Sequence, residues 1–245
     1  MMLKKPKNVS HFTINYMLNR LLFISIVLLF FSCGNEKALQ LPEIQNADIT
    51  EVLDVSPAYI FYDETKQDSV ELNRKNLIIS TNWLINVDKR LTLEQALPSI
   101  IKLQEKKRNA TMHKNEKARN YYTCNDTSIK NLGFIDFTDV AYFSKKEESK
   151  RTNDTSMYIE IKVHSQDSVK IDITSSKFSN IIKSSYAKLI FDLESILAPH
   201  GENFLSLSFK HNLIFQDYIE FKSILNNLTD YNKTNLSISN NEFIY

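Results

Sequence analysis

Few side chains in this sequence stand in an arrangement that could carry chemistry. His113 and Glu116 are three residues apart, the spacing that sets two metal ligands on one helix face. No third ligand lies near them, and the His-Glu-x-x-His pattern of a zinc protease is absent, so the pair reads as solvated surface. His200 precedes Gly201 at an expected helix end, where a cation complements the dipole. The two cysteines, Cys33 and Cys124, make neither a zinc pattern nor a disulfide framework, and Cys124 reads as an inert thiol. With only Gly34, Gly133 and Gly201 available, neither a Gly-x-Ser-x-Gly elbow nor a glycine-rich phosphate cradle can be written. No cofactor is expected. Two surface readings are left. The basic run Lys102, Lys106, Lys107, Arg108, Lys114, Lys117 and Arg119 suits an anionic partner such as lipid headgroups or glycan phosphates. The plainer reading is a solvated helix face, since Glu105 and Glu116 interrupt it. Trp83 with Tyr59, Tyr62, Tyr121 and Tyr122 could form a recognition surface, although aromatics in strands are more often core.

Cys33 gains meaning from what precedes it. Leu21 to Ser32 is an apolar run of about a dozen residues, against the roughly 20 that a membrane-crossing helix needs. Arg20 flanks it, and Gly34-Asn35-Glu36-Lys37 follows at once. This is the form of a secretory signal peptide over residues 1–32. With cysteine at the cut site it resembles a bacterial lipoprotein signal, which implies that the Cys33 thiol is lipidated and becomes the new N-terminus. Ser32 supplies the small residue that such signals place before the cysteine, while Phe30 stands where they usually carry leucine. Met17-Leu18-Asn19-Arg20 before the run would make a compact signal, so Met17 is expected to be the true start. The alternatives are an ordinary cleaved signal and an uncleaved anchor. The lipoprotein reading puts the protein at the cell envelope, on the periplasmic face of the inner or outer membrane.

Beyond the signal, about 210 residues are enough for one large or two small domains. A hydrophobic fraction of 42% with 24% charged residues is that of an ordinary globular chain. A net charge of +1 gives no field for nucleic acid.

Residues 33–57 look like a tether, with Leu39, Leu41, Ile44 and Ile49 scattered at no sustained period. A first unit over 58–143 opens with strands at Ala58–Tyr62 and Leu77–Val87. Thr92 and Gln95 make a capping box for a helix with Leu93, Ala96, Leu97, Ile100 and Ile101 on one face, and Pro98 is expected to kink it. A polar stretch to about Asp126 follows, and then a strand over Leu132–Phe143. Residues 144–156 hold no apolar side chain and form the expected linker. The second unit, 157–245, begins with a hairpin in which Met157, Ile159, Ile161 and Val163 face Val169, Ile171 and Ile173. Ser179 is expected to cap a helix carrying Ile182, Tyr186, Leu189 and Leu193, which Pro199-His200-Gly201 ends. A strand at Phe204–Phe209, a helix through Phe215, Ile219, Ile224 and Leu228, and a short strand at Leu236–Ile238 or Phe243–Tyr245 complete the chain.

That order, strand, strand, helix, strand, helix, strand, resembles the periplasmic domain of the ExbD/TolR family of biopolymer-transport proteins. The residues that carry it are Ile159–Val163, Val169–Ile173, the stretch from Ser179, and Phe204–Phe209 running into Phe215–Tyr218. The first unit looks like a looser copy. The resemblance implies the fold and not the proton-driven motor role: Leu21 to Ser32 holds no acid, and Lys210-His211 stands where the family places an acidic residue at a strand end. The reading is therefore an α+β protein of two sheet-and-helix units, lipid-anchored and acting as a binding or scaffolding module for an envelope protein or glycan. The rival is an envelope hydrolase with an unrecognised site. A pocket of converging, strongly shifted acids or histidines would favour the hydrolase; an exposed sheet edge or aromatic patch would favour the binder.

Overall fold

The computed structural model describes residues 37–144, 156–176, 178–197, 202–229 and 236–245. Cys33, His200 and most of the 144–156 segment lie outside them. Leu39–Tyr245 make one compact unit with a continuous apolar core.

Two mixed six-stranded sheets build this α+β unit. In the first, β2 (Val55–Tyr62) pairs antiparallel with β3 (Val70–Asn73) and parallel with β4 (Asn82–Val87). Helix α1 (Leu93–Arg108) then crosses over to β5 (Asn120–Asp126), parallel to β4, and β6 (Asn131–Asp136) returns antiparallel beside β5. The capping box at Thr92 forms: Thr92 Oγ1 accepts from Gln95 N at 3.3 Å and Gln95 Oε1 from Thr92 N at 2.9 Å. The helix runs on through Pro98, which lies on its exposed face while Leu93, Ala96, Leu97 and Ile100 are buried.

The segment expected to be a tether is part of this sheet. Glu43–Ile44 (β1) pairs parallel with the end of β5, Ile44 is buried, and Ile49 bridges to Phe134. Gly133 allows the approach: a Cβ there would lie 2.5 Å from Ala47 Cβ and 3.0 Å from Ile44 Cδ1. The strand expected over Leu132–Phe143 divides after β6, because Asp136 Oδ1 accepts from Thr138 N and closes a turn. Ala141–Phe143 (β7) then joins the other sheet, parallel to its last strand.

The second sheet has the order β10-β9-β8-β11-β12-β7. Its hairpin, β8 (Met157–Ser165) and β9 (Ser168–Thr174), is as expected. The helix expected from Ser179 is not. Ser179–Ser184 is β10, paired residue for residue with β9, and α2 (Tyr186–Ile196) begins after Ser185. β11 (Asn203–Phe209), α3 (Phe215–Thr229) and β12 (Leu236–Ile244) follow, the last joining both short strands expected there.

The two sheets share a plan: a hairpin, a strand parallel to the hairpin's first strand, a helix, and a further parallel strand. They meet at equivalent turns. Leu93 N donates to Leu213 O at 2.9 Å and Phe215 N to Leu91 O at 2.7 Å; Glu94 N donates to His211 O and Gln216 N to Lys89 O. These exchanges form an antiparallel bridge between Thr92 and Ile214, just before α1 and α3.

Candidate functional site

The basic run does not assemble into one patch. Lys107, at the end of α1, is buried; its Nζ donates to Arg119 O at 2.8 Å and Asn120 Oδ1 at 3.0 Å and lies 5.0 Å from the Trp83 ring centroid. Burial lowers this ammonium to about 8, with Asp136 acting weakly the other way. Arg108 donates to Val140 O at 2.9 Å. Arg119 is forked between Asp136 and Asp139, and its bond to Asp136 holds it more firmly charged than usual. Lys114 pairs with Glu116 at 2.9 Å. Lys102, Lys106 and Lys117 stand exposed. Thus Lys107 and Arg108 brace α1 against the segments before β5 and after β6, and Arg119 ties the start of β5 to the end of β6, roles that spacing alone did not distinguish from a solvated face. His113 and Glu116 lie in the exposed loop after α1 and not on a helical extension. Among the described residues no group of three or more His, Cys, Asp or Glu could hold a metal ion.

Trp83 and Tyr122 are core residues. Tyr59 stacks on Phe61 at 5.9 Å, and Arg90 lies 4.7 Å from the Tyr62 ring. Cys124 is fully buried, and burial pushes its thiol far up, so it stays protonated.

The most concentrated polar chemistry was not visible in sequence. Tyr122 (β5), Tyr142 (β7) and Tyr218 (α3) join hydroxyl to hydroxyl at 2.6 and 3.2 Å. Tyr218 then donates to Glu242 Oε2 on β12 at 2.8 Å, and Lys222 on α3 donates to Oε1 at 2.5 Å. Glu242 is 1% exposed. Burial is the largest cause raising all three phenols, so none ionises near neutrality. The chain of bonds ties the first sheet, through β5, to the second. Nearby, Gln166 Nε2 donates to Asp217 Oδ1 and Glu220 Oε2, both at 2.9 Å. Burial raises both carboxyls, and Asp217 raises Glu220 further.

An open edge lies at the other end of the second sheet. β10 pairs with β9 without a bulge, and no strand among the described residues pairs with its outer side. The Ile181 N–H is met by Asn180 Oδ1 at 2.9 Å instead of by a neighbouring strand. Phe178 is 53% and Ile181 56% exposed, and Phe191 on α2 is also exposed. Ser184 Oγ donates to Asp192 Oδ2 at 2.6 Å and fixes α2 to the end of β10. The strand has no proline and one charge, Lys183, so it lacks most of the features that keep edges from pairing. The sequence signal for it was obscured, since Ile182, Tyr186 and Leu189 fall at helical spacing.

No family model, curated protein or solved structure matches this chain. No helix of the described residues is long and apolar enough to cross a membrane.

Proposed function

We propose that this chain is a lipid-anchored protein of the cell envelope, similar in its second unit to the ExbD/TolR periplasmic domain, that acts as a binding or scaffolding module. The observation that carries the binding role is the β10 edge. Its outer side pairs with no strand among the described residues and lies beside exposed Phe178 and Ile181, the arrangement to which an extended partner segment adds as a further strand. The Tyr122–Tyr142–Tyr218–Glu242–Lys222 chain of bonds suits a rigid support for such an edge. The anchor rests on the apolar run ending at Cys33.

The test has two arms. Cys33→Ser should abolish acyl labelling and release the protein from the membrane fraction; unchanged retention would refute the anchor. Ile181→Pro, which removes an outward N–H without touching the core face, should abolish co-purification of any envelope partner found with the parent chain. Partners retained at parent level would refute the edge as the binding element.

A further inference from the structure

Three loops converge at one end of the first sheet. Residues 50–54 lead into β2, 74–81 into β4 and 109–119 into β5, and these strands run parallel. The loops are bonded to one another. Asn82 N and Nδ2 donate to Asp54 O at 2.9 Å and Leu53 O at 2.8 Å. Asn115 Nδ2 donates to Ser80 O at 2.9 Å, and Arg119 N to Asn82 Oδ1 at 2.8 Å. On this braced base three apolar side chains stand in water: Leu53 at 72%, Ile78 at 57% and Met112 at 72% exposure. Asp54 and His113, their neighbours, hold φ of 51° and 56°, a left-handed conformation that side chains disfavour.

The same loops carry Arg74, Lys75, Lys114, Lys117 and Arg119, against Glu51, Asp54 and Glu116; Lys114 pairs with Glu116 and Arg119 with Asp136 and Asp139, while Arg74, Lys75 and Lys117 stand exposed. The most exposed apolar residues sit one to a loop, which suits a fluid apolar phase that each tip enters separately. A peptide or protein partner would need a continuous surface. Cations beside apolar tips match an anionic headgroup layer over an acyl interior. We propose that this end of the molecule docks on an anionic lipid bilayer, with Leu53, Ile78 and Met112 entering the headgroup region and the loop cations meeting lipid phosphates.

The folded unit 39–245, which lacks Cys33, tests this without the acyl chain, so its failure and the failure of the anchor are separate results. It is sedimented with phosphatidylcholine vesicles, with and without about one third phosphatidylglycerol. Binding is expected to the anionic vesicles alone and to weaken as salt is raised. Ile78→Ser and Met112→Ser should each weaken it about tenfold, with unchanged circular dichroism. Ile129→Ser, at an exposed residue in the β5–β6 turn at the opposite end of the first sheet, should leave it unaltered. No vesicle binding, binding that survives the paired Ile78→Ser and Met112→Ser changes, or full displacement by free glycerol phosphate would overturn the proposal; the last would point to a phosphate site in place of a bilayer surface.

Discussion

Replacing Lys222 by methionine removes the cation that, among the described residues, is bonded to the Glu242 carboxylate, which is 1% exposed. At 2.5 Å and an effective dielectric of about 20, the pair attracts by roughly 7 kcal/mol before the cost of drying both ions. Glu242 would keep the Tyr218 hydroxyl as a donor. Breaking a buried pair from one side costs about 3–5 kcal/mol, a large part of the roughly 5–15 kcal/mol that holds a domain folded. For a unit of this size that lowers Tm by about 6–20 °C. Glu242→Gln should cost less, about 1–2 kcal/mol, because the Lys222 side chain is 13% exposed and can turn its head to water. The double change Lys222→Met with Glu242→Leu should recover most of the loss, since an apolar pair replaces two buried ions. Urea unfolding of the 39–245 unit at neutral pH, read as a double-mutant cycle, measures all three. Lys222→Met within about 1 kcal/mol of the parent, or a double variant as unstable as Lys222→Met, would refute the view that this pair is a buried, coupled tie.

Further outcomes follow from single contacts. Lys107 is depressed to about 8 by burial, so above that pH the unfolded chain binds more protons than the folded one. Stability from this group should rise by about 2 kcal/mol between pH 8 and 10, and the difference between parent and Lys107→Met in denaturant titrations should show that slope. Glu220 and Asp217 are raised by burial, so their cost appears as pH climbs through the raised range and is absent in acid. Glu220→Gln should therefore stabilise by about 0.5 kcal/mol at neutral pH and not at pH 4, as melting curves at the two pH values will show. Gly133→Ala places a methyl 2.5 Å from Ala47 Cβ. It should cost about 1–3 kcal/mol and speed amide exchange in residues 42–49 more than in β8 or β9.

The sequence made visible those elements whose own pattern decides them. The β8–β9 hairpin alternates, α1 carries its capping box, and β11 and α3 show clean periods. Elements decided by their neighbours were hidden. β5 reads Asn-Tyr-Tyr-Thr-Cys-Asn-Asp and is a strand because β4, β1 and β6 pair with it on both sides. Ile44 and Ile49 show no period because each is held singly, Ile44 close against Gly133 and Ile49 by its bridge to Phe134. β10 passed for a helix start because apolar spacing across Ile182–Leu189 fits either form, and only pairing with β9 settles it. The tyrosine–glutamate–lysine chain was illegible for the same reason. Its members come from β5, β7, α3 and β12, far apart in sequence. The basic run was visible, but not that Lys107 turns inward or that Arg119 is held by Asp136 and Asp139.

Photo-crosslinking in cells from position 181 decides whether the protein binds envelope partners through its β10 edge. A crosslinker there should give a discrete protein adduct in the membrane fraction, which Cys33→Ser removes from that fraction and which a crosslinker at position 121, on the other sheet, does not form. Absence of any adduct at 181, or the same adduct from both positions, would contradict the account.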